Sequence, residues 1–409
     1  MATNFKVLIV GAGVTGLSLA HGLRKQGIEY EIFEKHGGAT RHRDWGITVH
    51  WAVQFMELYP EDMGQRLRKA QVIVQRDNKV QEQVEFHNGE TGEVFKHIPL
   101  GPAKRYSQKK IRQALTQEIP VQYNKEMKTI KELPNGVEVV FADGTTATGA
   151  LVVCCDGAQS PSRQLLFANK EDAKWKPLPG FILNNFWMQY PVDRALKIKE
   201  GLSAFMDIAV HPNGTYYGLI PLDIDDPDKP ESWKFQVFMA MKANIPPEED
   251  SSERRFAIVK EAGKAFAEPF RSAIEWMPEG TFISTDRYGT WESIPWDNKN
   301  GRVLLAGDCA HSMTAHRAQG LNHALQDVLN LVHAIPEIAA GKLDLKEFAD
   351  SYMAEVVERG ADEVRMSLKQ GLAVHNWGQN KDMPIVKIGT TPLHMEQTLV
   401  PLPTQGEAV

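Results

Sequence analysis

Three stretches of this sequence end an apolar run in glycine and an acidic residue nearby: "VLIVGAGVTG" from Val7, with Glu34 farther on; "LVVCCDGAQSPSR" from Leu151; and "LLAGDCAHSMTAHRAQGLNHALQD" from Leu304. In the first, Gly11, Gly13 and Gly16 form a GxGxxG pattern. The first glycine permits a tight turn, the second lets a pyrophosphate approach the backbone, and the third lets a helix pack on a strand, so that phosphates rest at the helix N-terminus. Glu34 lies 23 residues beyond Gly11, where a carboxylate can accept hydrogen bonds from the ribose hydroxyls of an adenosine. This is dinucleotide-binding chemistry. It does not by itself separate NAD from FAD.

The second stretch places Asp156-Gly157 after an apolar strand, and the third does the same with Gly307-Asp308. In a doubly wound sheet several strand ends converge on one crevice. Acids at two such ends can therefore meet different parts of one extended cofactor. The third stretch runs on through His311, His316 and Arg317 to a helix that starts at Gly320 and turns Leu321, Ala324, Leu325, Val328 and Val332 inward. Such a helix aims unpaired N–H groups and a positive dipole end at an incoming ligand.

The elements that must hold these residues are legible in the patterning. "FKVLIV" reads as a strand buried on both faces, "GAGVTGLSLAHGLRKQG" as a helix stopped at Gly27, and "YEIFEK" as the second strand of a βαβ unit. Residues 71–100 read as short antiparallel strands, "SQKKIRQALTQEI" as helix, and "GVEVVFADGTTATGALVVCCDG" as a hairpin turning at Asp143-Gly144 before a buried strand. From about 175 to 285 the chain is strand-rich and aromatic, with one helical stretch over "SSERRFAIVKEAGKAFAEPFRSAI"; residues 345–380 read as helix. The fold expected is α/β. A Rossmann-like domain with a parallel sheet (1–70, 101–174 and 286–345) is interleaved with an antiparallel-sheet substrate domain (71–100 and 175–285), and a C-terminal helical segment and tail follow (346–409).

Composition removes several function classes. At 409 residues with a net charge of −6 and no long basic run, a nucleic-acid partner is not expected. Cys154, Cys155 and Cys309 have neither disulfide-framework nor metal-ligand spacing, which points to a reduced, cytoplasmic setting. No stretch has the 18 or so unbroken apolar residues of a membrane span, and no membrane anchor is expected.

Taken together, GAGVTG with Glu34, CDGAQSPSR and GDCAHSMTAHRAQGLNHALQD, in that order, resemble the motifs of the group A flavoprotein monooxygenases of the para-hydroxybenzoate hydroxylase fold, over about residues 4–345. The resemblance implies FAD as cofactor, NAD(P)H as transient reductant, and transfer of one oxygen atom from a flavin C4a-hydroperoxide to a hydrophobic, aromatic or prenylated natural-product intermediate by hydroxylation or epoxidation. It is similar in overall look to fungal tailoring enzymes of secondary metabolism. It implies that Gly11, Gly13, Gly16, Glu34, Arg43, Gln108, Asp156, Gly157, Asp308, Gly320, Leu321 and Asn322 contact the cofactor, and that Arg43, His311 and Ala315 lie near the reaction zone. The partners expected are a small hydrophobic substrate and dioxygen, with the chain a monomer or homodimer.

Ser312 and Ala315 stand where the family often has prolines, and Ala318 replaces a glycine. These departures motivate an alternative, an FAD-binding cyclase, isomerase or dehydrogenase without oxygen transfer. His311, His316 and His323 have poor metal spacing, His311 is expected to bond backbone near the cofactor, and Cys309 is expected simply to pack. "TWESIPW" lacks the register of the flavin-halogenase box WxWxIP. Trp187, Tyr190, Tyr216, Tyr217, Trp233 and Phe235 are candidates to line a substrate pocket, with Trp187, Tyr217 and Phe235 singled out; because strand residues alternate in direction, about half of such a set must face elsewhere.

Overall fold

A computed structural model of the chain describes residues 5–38, 44–72, 83–202, 206–224, 226–390 and 392–393. Arg43 lies outside the described residues. The chain opens with β1 (Lys6–Val10), α1 (Val14–Lys25) and β2 (Glu29–Glu34). Val7, Leu8 and Ile9 are fully buried, and Leu17, Leu19, Ala20 and Leu23 of α1 are buried with them. Gly27 stops the helix at φ +70°, a conformation that costs glycine nothing.

An excursion follows: β3 (Gly46–Val49), α2 (Met63–Ala70), the hairpin β4 (Gln83–Asn88) and β5 (Val94–Pro99), and β6 (Lys104–Ser107), which pairs back on β3. The chain then returns through α3 (Gln108–Thr116) and β7 (Val121–Tyr123). The meander β8 (Met127–Leu133), β9 (Gly136–Phe141) and β10 (Thr146–Gly149) leads into β11 (Leu151–Cys154). Ser107 caps α3 by accepting from the Lys110 N–H at 3.2 Å, which satisfies one of the orphan donors of the first turn.

A second excursion begins with α4 (Pro161–Leu165) and β12 (Lys176–Pro177) and continues through β13 (Phe181–Met188), α5 (Val192–Gly201), β14 (Met206–Val210), β15 (Tyr216–Asp223), β16 (Lys234–Lys242), α6 (Ser252–Gly263) and α7 (Phe270–Glu275). The strand β17 (Gly289–Thr290), paired with β12, precedes β18 (Val303–Leu305), α8 (Gly320–Ala339), α9 (Leu345–Ala373) and α10 (Pro384–Ile388).

Two sheets dominate. The parallel sheet has the order β18-β11-β1-β2-β7, so the segments after β1, β11 and β18 leave adjacent strands at the same edge. The second sheet has the order β13-β16-β15-β14-β4-β5. It is antiparallel apart from one pairing: β14 runs parallel to β4, Asp207 opposite Glu85, because β4 is delivered by the earlier excursion and enters alongside β14 without a hairpin. The helical stretch expected from Ser251 to Ile274 is two helices. Pro269 sits between them, and an interior proline lacks the N–H a continuous helix needs.

The second sheet buries both faces. Ile182, Phe186, Ala209, Tyr217, Leu219, Phe235, Val237 and Met239 pack with Phe270 and Ile274 of α7 in one apolar core. Residues of opposite parity, including Ile208, Tyr216, Ile220 and Ala240, form another core with Tyr288, Val374 and Met383.

Candidate functional site

The GxGxxG turn follows β1. A side chain at Gly11, whose φ is +108°, would place Cβ 2.4 Å from the Cys155 carbonyl oxygen, and one at Gly16 would place Cβ 2.0 Å from the Gly11 carbonyl oxygen. These two glycines are required by the protein's own packing. Gly13 differs: a Cβ there meets nothing within 4 Å, so it opens onto free space at the N-terminus of α1. A pyrophosphate can reach the backbone only at such a position.

That space is a cavity of about 150 Å³ lined by Gly11, Gly13, Glu34, Gln108, Asp156 and Gly157, among others. Each Glu34 carboxylate oxygen already accepts one backbone hydrogen bond, from Ala12 N–H at 3.1 Å and from His36 N–H at 3.0 Å. Each keeps further acceptor capacity for a hydroxyl. Asp156 is fixed in the same way, accepting from the Ser160 hydroxyl and from the Ser162 N–H at 2.9 Å, while Gly157 takes φ +86° with nothing near its missing side chain.

Sequence reasoning missed Arg112. It lines this cavity, and its Nε donates to the Ala12 carbonyl at 3.0 Å, which ties a permanently charged guanidinium to the glycine turn. The signal was available, since Arg112 is one helical turn after Gln108 on α3 and so shares its face.

At the end of β18, Gly307 turns at φ +68° against Thr15 of α1, whose Oγ1 would lie 2.6 Å from an added Cβ. Asp308 then presents an accessible carboxylate from within a densely packed surround. Desolvation pushes its pKa above the ordinary carboxylate value, opposed by the nearby His311 and Arg163. A Cβ at Gly320 would lie 3.7 Å from Asp308 Oδ1, so the start of α8 and this acid share one opening. The Asn322 side chain is committed elsewhere. It accepts from the His50 N–H at 2.9 Å and donates to the Thr48 and Ala318 carbonyls at 3.1 and 2.9 Å, clamping the end of β3 onto α8. At Gly320 and Asn322 only the backbone is left to meet a ligand.

The loop is held by a buried hub that the sequence did not disclose. Asp327, seven residues into α8, accepts from the Gly307 N–H at 2.7 Å, from His311 Nε2 at 2.7 Å and from Arg359 of α9 at 2.6 Å. Burial would raise the Asp327 pKa, but His311 and Arg359 outweigh it and hold it down at about 2. The expected His311 bond to backbone is thus corrected to a bond with a carboxylate. Nothing local in the sequence signals Arg359, which comes from a separate helix.

The histidines of this loop do different things. His316 Nε2 lies 3.0 Å from Tyr288 Oη, and burial holds its pKa down at about 3. Arg359 donates to His323 Nδ1 at 3.0 Å. Cys309 is fully buried and desolvation pushes its thiol pKa up. Ala315 is exposed and opens the short turn Ala315–Arg317, which ends at Ala318 with φ 54° and ψ 33°, the left-handed region that a glycine would occupy without cost.

A second cavity, of about 670 Å³, is lined by Trp45, Asn185, Trp187, Phe282 and Ser284, among others. A backbone hydrogen bond links the walls of the two cavities: Gln108 N–H donates to the Trp45 carbonyl at 2.8 Å, Gln108 lining the first and Trp45 the second. Trp187 is half-buried here, with Lys234 Nζ 5.6 Å from its ring centroid. Tyr217 and Phe235 are corrected. Both are fully buried in the core under α7, because their parity on β15 and β16 turns them away, and Tyr190 and Trp233 lie in that core too. Tyr216 faces the other way, its ring 5.3 Å from that of His316. The same face is latched to β3 by Gln236, whose Oε1 accepts from Gly46 N–H at 2.8 Å and Arg105 at 2.7 Å.

Residues 4–367 match the family described as FAD binding domain. The chain is 30% identical to the FAD-dependent monooxygenase phnB of Penicillium herquei, covering 96% of both chains. It is 29% identical to the FAD-dependent monooxygenase cctM of Talaromyces islandicus, over 94% of this chain and 96% of that one. Among solved structures it is similar in fold to Klebsiella pneumoniae HpxO complexed with FAD and uric acid (TM-score 0.73, 20% identity, 95% and 92% covered). It is equally similar to the 2,6-dihydroxypyridine-3-hydroxylase of Arthrobacter nicotinovorans (TM-score 0.73, 17% identity, all of both chains).

Proposed function

The chain belongs to the FAD binding domain family of FAD-dependent monooxygenases, and from that premise we propose that it transfers one atom of dioxygen to a hydrophobic, ring-bearing small molecule of secondary-metabolite type. The similarity to named monooxygenases over nearly the whole chain favours oxygen transfer over the cyclase, isomerase or dehydrogenase alternative. The observation that carries the reading is that three motifs far apart in sequence leave three adjacent strands of one sheet at the same edge: the first two line one cavity with Gly13 open at its floor, and the third sets its Gly307 turn against Thr15 of α1.

The residues present fit FAD. Glu34 would receive the adenosine ribose, the α1 N-terminus with Arg112 the pyrophosphate, Asp308 the hydroxyls of the ribityl chain, and the backbone at Gly320–Asn322 the flavin ring. When bound, FAD supplies electron transfer from NAD(P)H and activation of dioxygen. The protein's part is to place and enclose it. The α8 N-terminus stabilises negative charge, and the Asp327 hub keeps Asp308 and His311 where they are. His316, buried and neutral at ordinary pH, adds no competing charge.

The second cavity is our candidate for the substrate. Its aromatic walls at Trp45, Trp187 and Phe282, with polar groups from Asp44, Asn185, Gln189, Glu279, Thr281 and Ser284 around them, suit an apolar ring system bearing several oxygen or nitrogen atoms. Purified protein should be yellow and should oxidise NADPH faster in the presence of phenolic, indolic or prenylated compounds, with one dioxygen consumed per oxygenated product. NADPH oxidation without any oxygenated product across that panel would overturn the reading. Asp308→Ala should lose most of its bound FAD, and wild-type flavin content in that variant would remove Asp308 from its assigned role.

A further inference from the structure

At the far edge of the six-stranded sheet from β13, a compact group of ligand-bearing side chains has no part in the site above. Glu85 and His87 are two residues apart on β4 and so share a face. Asp207 on β14 is the cross-strand partner of Glu85 on one side, and His97 on β5 is its partner on the other. Glu85, His87 and Asp207 are all buried, beneath α7, where Phe270 packs edge-on against the His87 ring at 5.4 Å.

The tautomer of His87 is decided by the β4–β5 turn. Its Nδ1 lies 3.2 Å from the Gly92 carbonyl oxygen, which can only accept, so Nδ1 carries the hydrogen. Nε2 then faces Asp207 Oδ1 at 3.1 Å and Glu85 Oε2 at 3.9 Å. A bare imidazole lone pair turned towards two carboxylate oxygens is repulsive unless a cation lies between them, either a second proton or a metal ion. Histidine that donates one ring N–H to a carbonyl and offers the other nitrogen is the usual metal-ligand arrangement.

The spacing fits a metal. The three ligand atoms lie within 4.8 Å of one another, and ligands on a tetrahedral zinc with bonds of about 2.1 Å sit roughly 3.4 Å apart. Two carboxylates and a neutral imidazole match the charge of a divalent ion and are the ligand forms it requires. The outer oxygen of Glu85 is itself oriented, accepting from Gln83 at 2.9 Å and lying 3.2 Å from His97 Nδ1. His97 is 59% exposed, which opens a path to the group from solvent.

We propose that Glu85, His87 and Asp207 form a structural site for a zinc-class divalent cation, which fastens β4, delivered by the early excursion of the chain, to β14. The site is separate from flavin chemistry and does not rest on the function proposed above. The test uses FAD-loaded enzyme, dialysed against chelator and titrated with Zn²⁺ by calorimetry, with thermal melting in parallel. One equivalent should bind and raise the melting midpoint. Glu85→Gln and His87→Gln should each weaken that binding by at least about tenfold, the scale for disturbing a metal site, with flavin content unchanged, whereas His97→Ala should keep the equivalent. Should His87→Gln fail to fold, the near-isosteric Glu85→Gln decides. Absence of a stoichiometric equivalent in the wild type, or its retention at full affinity in Glu85→Gln, overturns the proposal and leaves His87 as a protonated imidazolium.

Discussion

Replacing Gly13 by alanine separates what the glycine turn does for the fold from what it does for the cofactor. The backbone at Gly13 has φ −79° and ψ −176°, extended geometry that alanine adopts freely, and the added methyl meets no protein atom within 4 Å. The apoprotein should therefore be as stable as wild type, or more so by about 0.4–1 kcal/mol, the gain when alanine restricts the unfolded chain at a compatible position. With FAD the methyl occupies the approach to the α1 N-terminus. Loss of one or two hydrogen bonds to a charged group at roughly 1.5–3 kcal/mol each comes to about 3 kcal/mol, or roughly a hundredfold in Kd. Gly11→Ala makes the contrast, since its Cβ would sit 2.4 Å from the Cys155 carbonyl oxygen at φ +108° and must push β1 away from β11, costing both stability and FAD. Flavin fluorescence titration of apoprotein and its melting midpoint by circular dichroism check both. Wild-type FAD affinity in Gly13→Ala, or an apoprotein midpoint that falls as far as that of Gly11→Ala, would refute the reasoning.

Asp327→Asn breaks a fully buried ion pair with Arg359 and alters the hydrogen bond with His311 and should destabilise the fold by about 3–5 kcal/mol, read as a fall in the denaturation midpoint. The Asp327 pKa is depressed to about 2, so its stabilising contribution is complete above the unfolded carboxylate pKa of about 4 and is lost as pH falls towards 2; acid denaturation of the variant should lose this component of its pH dependence. Ala318→Gly relieves a left-handed alanine at a cost in backbone entropy, for a net gain of roughly 0.5–1 kcal/mol, and a lower melting midpoint would contradict that. Trp187→Ala should raise KM for the ring-bearing substrate several-fold with little change in stability, while Tyr217→Phe, which loses only a core hydrogen bond to the Phe270 carbonyl at 3.3 Å, should leave KM unchanged and cost about 1 kcal/mol. Steady-state kinetics and melting on the same preparations distinguish the two.

The parts of the site made from local backbone were readable in the chain. A GxGxxG turn, a Gly-Asp turn after a strand and a helix starting at glycine each depend on conformations that a few adjacent residues impose. Their meeting also followed from a general property of parallel sheets, whose strand ends open on one side. The choice among aromatic residues of the second sheet was not readable. Tyr216 and Tyr217 are neighbours on β15, and only the register against β16 and the helices above decides which of them faces the core under α7.

Residue types and short spacings alone thus established a dinucleotide crevice, its strand–turn–helix supports and the excursions between them, because these depend on steric and hydrogen-bonding rules that act over a few residues. Contacts between segments 32 to 272 positions apart had to come from folding. Asp327 meets Arg359 across two helices, Asn322 clamps the end of β3, and Glu85 and His87 meet Asp207 because β4 lies parallel to β14. No local rule governs such pairings, since burial and register are properties of the packed whole, and they determine how firmly Asp308 is held and where charge can be stored away from the flavin.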